Sequence, residues 1–255
     1  MQTPVPASIL PSTGAPRFRT RYLVTLAVLL GAVIARSGIG AHYPHDWMLE
    51  NVLVLVFTVF LAATFRYFPL SLVSYTLIVL FLCFHELGAH WTYAEVPYND
   101  WTRSLFGTSL NDLLGLKRNH FDRAVHFLYG FLLAYPIREM FVRIANVRGF
   151  WGYFLPLDLT MSTSMLFELF EWIAAVTFGG DLGEAYLGTQ GDVWDAHKDM
   201  AMASLGALIA MIIVAFINKR HNRDFARDFA ESLRIKRAAP LGEVELARLK
   251  NTAEK

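Results

Sequence analysis

Six apolar runs separated by charged or polar stretches set the pattern of this chain: Tyr22 to Ile39, Asn51 to Phe65, Phe68 to His90, His120 to Val142, Phe150 to Phe178 and Asp199 to Ile217. Roughly 20 mostly apolar helical residues cross a bilayer core of about 30 Å, and about 17 to 25 are tolerated. All six runs meet or approach that length. The first two are the shortest, because Arg21 and Arg36 bracket fourteen residues and Glu50 and Arg66 bracket fifteen. Arginines at helix ends extend such spans by snorkelling. The pattern predicts an all-α fold, a polytopic membrane helical bundle of about six transmembrane helices with short loops.

The placement of Lys and Arg orients this bundle. Of 23 basic residues, 17 fall in the N-terminal tail, at Arg66, in the connection with Arg138, Arg143 and Arg148, and in the tail from Lys219 onward. The other six (Arg36, Arg103, Lys117, Arg118, Arg123 and Lys198) fall on the opposite side. The positive-inside rule then puts both termini in the cytoplasm. Residues 1–20, rich in Pro, Ser and Thr, read as a flexible tail, 21–218 as the transmembrane domain, and 219–255 as a basic cytoplasmic tail. Arg17, Arg19 and Arg21 before a short apolar run also resemble the start of a signal peptide, but no small-x-small cleavage site follows, so the first helix is expected to be retained. Phe225, Phe229 and Leu233 recur every four residues among Arg223, Arg227, Arg234, Lys236 and Arg237. Two readings remain open for that stretch: an amphipathic helix on the anionic inner leaflet, or a solvated tail.

Composition agrees with a lipid solvent. The 255 residues are 55% hydrophobic and only 18% charged, against about 25% charged in soluble domains. A net charge of +1 excludes a globally basic nucleic-acid binder. The single cysteine, Cys83, lies in an apolar run without a thiol partner and reads as core filler.

With this topology the ionisable residues converge. Span three ends with His85, Glu86 and His90, and span four begins with Asp122, Arg123 and His126. Span five carries Glu168 and Glu171 in its second half, and Asp192, Asp195, Lys198 and Asp199 lead into span six. All four sets meet at the extracytoplasmic end. Glu86 and His90, Asp122 and His126, and Asp195 and Asp199 are four apart, and Glu168 and Glu171 three apart, so each pair shares a helix face. Seven carboxylates there face two bases, Arg123 and Lys198. Ionised carboxylates in low dielectric need a cation, a proton or open water. Capping and the helix dipole account for Asp122, Asp195 and Asp199 near helix N-termini without any function. They do not account for Glu86, Glu168 and Glu171, which lie toward C-terminal halves.

Other motifs carry less. In His85-Glu86-Leu87-Gly88-Ala89-His90 the histidines are five apart, about 140° around a helix, so they do not form the four-residue zinc-binding motif. There is no Gly-rich phosphate loop, nucleophile elbow or dinucleotide fingerprint. Ser162, Thr163 and Ser164 are expected to bond helix to helix. Trp47, Trp91, Trp101, Trp172 and Trp194 map to the outer side as an aromatic belt. The connection from Trp91 to Asn119 reads either as a lid over the polar site or as an ordinary surface loop.

Four motifs also carry a resemblance. Residues 84–93 (FHELGAHWTY), Asn119-His120-Phe121-Asp122-Arg123, Glu168-Leu169-Phe170-Glu171-Trp172, and Gly188-Thr189-Gln190-Gly191-Asp192-Val193-Trp194-Asp195 with Asp199-Met200 resemble the YjdF-like family of bacterial inner-membrane proteins. The similarity covers roughly residues 22 to 218. It implies a multi-pass protein of the inner (plasma) membrane, and because the family bears a domain-of-unknown-function label it implies no substrate, cofactor or catalytic residue.

From the residues themselves, the expected chemistry is a polar site serving hydrolysis of a lipid or envelope substrate. Glu86, Glu168, Glu171 and Arg123 are the candidate catalytic residues, with Arg123 to hold an anionic group such as phosphate. His85, His90, Asp122, His126, Asp192, Asp195 and Asp199 are the candidate metal ligands. A mixed oxygen and nitrogen donor set suits a divalent Zn, Mn, Fe or Mg ion. The rival readings are a proton- or ion-coupled transporter and a non-catalytic scaffold. The expected partner is the lipid bilayer, with no nucleic acid, and the sequence is silent on oligomeric state.

Overall fold

Polar signals at the ends of the apolar runs start and stop helices in residues 16–178, 189–221, 224–236 and 239–253, the part of the chain that the computed structural model describes. Residues 1–15 of the N-terminal tail, Gly188 of the fourth motif, and Arg223 and Arg237 of the basic tail lie outside the described residues. Among those described there is no strand. The helices are α1 (Pro16–Gly38), α2 (Pro44–Thr64), α3 (Leu72–His90), α4 (Tyr98–Phe106), α5 (Leu110–Leu114), α6 (Phe121–Ile144), α7 (Trp151–Phe178), α8 (Asp195–His221), α9 (Phe225–Ser232) and α10 (Leu241–Ala253).

Five of them, α1, α2, α3, α7 and α8, are long and apolar enough to cross a membrane. At 24 residues, about 36 Å, α6 has the length but carries Asp122, Arg123, Arg138, Glu139 and Arg143. Those charges lie at its two ends, and the helix is the centre of the bundle, packed most extensively on α8 and then on α3 and α7. Successive long helices run in opposite directions along the chain, so α1 lies parallel to α3 and α6 parallel to α8. One end of the bundle gathers the C-terminal parts of α1, α3 and α7 with the N-terminal parts of α2, α6 and α8, and holds most of the buried acids. At the other, basic end, Ser71 caps α3 by accepting from the Ser74 amide at 3.1 Å, and Glu139 of α6 accepts from the Ser71 amide (2.9 Å) and the Ser74 hydroxyl.

Several boundaries differ from the expected ones, for a common reason. A charged residue does not end a span here: Arg21 and Arg36 lie inside α1 and are exposed, and Glu50 lies inside α2 and is buried. α2 begins at Pro44 rather than Asn51, with proline in the first turn where its missing N–H costs nothing. Its buried residues are Asp46, Glu50 and Val54, one inward stripe at a spacing of four, while Val56, Val59 and Phe60 are exposed. Acids inward and apolar side chains outward is the arrangement that lipid demands. α1 begins at Pro16, inside the segment expected to be a tail, and Arg19 donates to the Leu70 carbonyl at 2.8 Å.

The basic stretch after α8 is tied to the bundle through Phe225 and Phe229. They pack on Tyr153 and Phe150 at the start of α7, with ring centroids 6.1 and 5.8 Å apart. The Ser232 hydroxyl accepts from the Phe150 amide at 2.9 Å. Gly149, at φ +57°, permits this approach, since a Cβ there meets the Asp228 carbonyl and Ser232.

Candidate functional site

The acidic end is assembled by the close crossing of α6 and α8. Gly130 lies against the Ala203 backbone and Gly206 against the Phe127 carbonyl, so closely that a Cβ on either glycine collides with the opposing main chain. Ala134, Ala207 and Ala210 continue the contact. In lipid, helices associate through such close packing of small residues rather than through hydrophobic burial. Two turns from this crossing, the same two helices bring Asp122, Asp195 and Asp199 together.

One carboxylate oxygen from each of these three aspartates lies within 4.8 Å of the others. Two oxygens bound to one cation at about 2.0–2.6 Å can be at most about 5 Å apart, so a single ion can reach all three. His126, one turn along α6, has its Nε2 3.7 Å from Asp122 Oδ1 and 3.5 Å from Glu168 Oε1 of α7. Arg118 and Arg123 converge on Asp195, at 2.7 and 2.9 Å from its Oδ1. Arg123 also binds Asp192, and its Nε stops 3.8 Å from Asp199 Oδ1. Asp199 Oδ1, Arg123 Nε and Glu168 Oε1 are buried without a hydrogen bond. Such atoms are uncommon in folded proteins and point to a missing ion or water.

Asp192 lies in the connection before α8. Its hydrogen bonds from Lys198, Arg123 and the Trp194 amide hold its carboxyl well below the usual carboxylate range. It is fully paired and faces the Asp195 side of the site through Arg118 and Arg123.

A second acidic cluster lies beside the first. Glu86 of α3 is fully buried and accepts from the Ser37 hydroxyl of α1, to which Trp47 Nε1 also donates at 3.0 Å. His90, four residues on, pairs with the Ser37 carbonyl at 2.6 Å. Both members of that helical pair therefore engage one α1 residue. Asp46 and Glu50 of α2 are buried in the same region, with both Asp46 oxygens and one Glu50 oxygen unpaired.

Tyr93 joins the clusters. Its phenol pairs with His85 Nδ1 at 2.5 Å, leaving His85 Nε2 buried and unpartnered. Burial pushes the phenol well above its ordinary pKa, and Glu50, Asp122, Glu171 and Glu86 push the same way, so the group stays protonated. Its position is set locally. After α3 the chain turns with Thr92 and Tyr93 both at φ 53°, the Tyr93 amide donates to the Gly88 carbonyl at 2.8 Å, and the ring occupies the space that a Cβ on Gly88 would fill. The rest of the connection folds into α4 and α5. It is tied down where the Asn119 amide donates to the Gln190 side chain at 3.0 Å and the Gln190 side chain donates back to the Asn119 carbonyl at 3.1 Å.

Below Tyr93 an apolar cleft of about 540 Å³ runs between α2 and α7 over a floor of α3 and α6. His85, Tyr93, Asp122, His126 and Glu171 form its polar end, and Phe68, Met140 and Ile144 line its far end. Thr163 bonds helix to helix as expected, its hydroxyl pairing with Tyr129 at 2.5 Å, while Ser164 Oγ lines the cleft without a partner.

Of the residues singled out in the sequence, Asp122, Asp195 and Asp199 come together, with Arg123, Asp192, His126 and Glu168 around them. His85 and Glu171 reach the same end of the cleft. Glu86 and His90 belong to the Ser37 cluster, a separate group. Asp46, Glu50, Arg118, Ser37 and Tyr93 were missed. The first two carry a signal, since with Val54 they recur every four residues, but Glu50 stands at the charged edge of the second apolar run and Asp46 lies outside it. Arg118 and Tyr93 lie in a connection whose path no periodicity reveals.

Residues 22–220 match a family described as predicted membrane protein (DUF2238). The chain belongs to that family. Within it, the chain is similar to "Inner membrane protein YjdF" of Escherichia coli (strain K12), at 37% identity over 204 residues that cover 80% of this chain and 93% of that protein. No solved structure matches. The DUF2238 match spans α1 to α8 apart from the first six residues of α1 and the last residue of α8, and it excludes α9 and α10.

Proposed function

We propose that this protein is an inner-membrane enzyme that crosses the bilayer six times, with α6 as the sixth span and both termini cytoplasmic, and that hydrolyses a lipid or envelope substrate at its extracytoplasmic end. The observation that carries this reading is the set of three aspartate oxygens within 4.8 Å of one another at the head of the bundle. The excess of basic residues at the opposite end supports the orientation.

In this reading Asp122, Asp195 and Asp199 hold a divalent cation, and His126 completes a mixed oxygen and nitrogen donor set of the kind that Zn, Mn, Fe or Mg accepts. Such an ion supplies a more acidic bound water and polarises the substrate oxygen. Arg118 and Arg123 fix the Asp195 carboxylate and offset its charge. Glu168, 3.5 Å from His126, takes or returns the proton during hydrolysis. Glu171 and Tyr93 face the substrate at the head of the cleft.

Metal analysis of detergent-purified protein tests the proposal. One divalent ion per chain is expected, lost in Asp122→Ala and Asp199→Ala and retained in Glu139→Gln. Metal-free protein whose melting temperature ignores chelators overturns it. The unpaired oxygens of Asp46 and Glu50 favour a second reading, a proton-coupled carrier. Against it, the cleft below Tyr93 offers almost no polar atoms on the way to the basic end. Flux in proteoliposomes that vanishes in Glu50→Gln decides for the carrier.

A further inference from the structure

We propose that the cleft binds one extended hydrocarbon chain of a single-chain lipid phosphate, laid along α6 with the phosphate at the Asp122 end. This rests on the reading above, because the phosphate needs a cation among the aspartates.

Length, width and polarity each narrow the occupant. Asp122 and Ile144 both line the cleft and stand 22 residues apart on one helix, so the groove runs about 33 Å, close to the whole bilayer core of about 30 Å. Spread over that length, the 540 Å³ open to the centres of water-sized spheres corresponds to a section about 4 Å across, and the walls stand about one sphere diameter farther apart, at about 7 Å. Carbon atoms pack at about 3.5–4.0 Å, so one chain fits with room to spare, whereas two side by side need about 8 Å. The carboxyl and imidazole groups of the lining gather at one end only. His85 Nε2 is there, on a residue 7% exposed, buried and without a partner beside the Tyr93 phenol, ready to donate to or accept from a head group. The long side of the groove opens between α2 and α7, which make no contact comparable to that of α2 with α3. A lipid therefore enters sideways from the membrane, with no need to leave it.

Alkyl phosphates carrying a photoreactive diazirine at the chain end test this on the full-length protein in nanodiscs, with octyl and hexadecyl probes and a two-chain phosphatidic acid bearing the same group. The octyl probe is expected to label near Tyr129 and the hexadecyl probe near Ile137 and Met140, both at least fivefold above Val56 and Val59 on the exposed face of α2. Ile137→Trp, a plug in mid-groove, is expected to abolish hexadecyl labelling at Met140 and to spare octyl labelling at Tyr129. Labelling of Val56 and Val59 equal to that of the groove would reduce it to a bulk-lipid contact and overturn the proposal. So would phosphatidic acid that labels the groove as fully as the single-chain probes. Metal content measured on the same samples separates the two ideas: chain labelling without metal leaves a hydrocarbon chain in the groove but removes both the hydrolytic reading and the seat of the phosphate, and metal without chain labelling keeps the aspartate site and overturns the groove.

Discussion

The two ends of the bundle hold their buried glutamates differently. At the basic end Glu139 is answered completely, by the Ser71 amide, the Ser74 hydroxyl and Arg143 at 2.7 Å, and the arrangement caps α3. At the acidic end Asp199, Glu168, Asp46, Glu50 and Glu86 each retain at least one buried oxygen without a hydrogen bond. A satisfied carboxylate at a helix terminus needs no further explanation. Unsatisfied ones from four helices, gathered at one end in two adjoining clusters, call for a proton, an ion or water as partner.

The comparison breaks most completely at the α6–α8 crossing. Gly130→Leu forces side-chain atoms into the Ala203 backbone, which cannot move aside, and is expected to cost about 3 kcal/mol or more. The readout is a lowered melting temperature together with loss of divalent metal, whereas the equally helical Gly31→Leu, with nothing within 4 Å of its Cβ, leaves both unchanged. Next comes removal of one cation from each end. Arg123, 14% exposed and shared by three aspartates, is expected to cost about 3 kcal/mol when replaced by Ala, because it strands buried charge. Arg143, 39% exposed, is expected to cost under about 1 kcal/mol. Similar losses at both ends would mean that Arg123 and Arg143 stabilise their carboxylates equally.

A smaller effect is expected from Glu139→Gln, which keeps one acceptor but loses the charge. About 1.5 kcal/mol of stability should go, with metal content unchanged. The smallest is a pH effect at Asp192. Because its folded carboxyl titrates below the ordinary value of about 3.9, its stabilising contribution is fully present above that pH and is lost as the pH falls toward the folded value. Thermal melts of Asp192→Asn should therefore show a weaker acid dependence below about pH 4 than the parent protein. An identical dependence would mean that Lys198 and Arg123 do not stabilise the ionised form.

Much of this organisation could be read along the chain. Apolar runs long enough for a bilayer, basic residues sorted to alternate connections, and acid pairs three or four apart are all local or one-dimensional signals. They suffice for an all-helical membrane bundle with polar residues gathered at one end. Asp122 with His126 and Asp195 with Asp199 were visible because helical spacing alone puts each pair on one face. Glu50 is not legible as part of a site because a charge at the edge of an apolar run looks like a boundary whether it faces water or a neighbouring helix, and Asp46 lies beyond that edge.

Periodicity places residues on a helix face but says nothing about which helix that face meets. That Glu86 turns to Ser37 while Asp122 meets Asp199 follows from the packing of α3 on α1 and of α6 on α8, and the second of these depends on two glycines that let main chains touch. Nor does any linear pattern foretell that Tyr93, held in a left-handed turn by the space over Gly88, closes the head of an apolar cleft. Solvent preference is written residue by residue. The partner of each buried charge depends on contacts between segments far apart in the chain, and these exist only after the helices have packed.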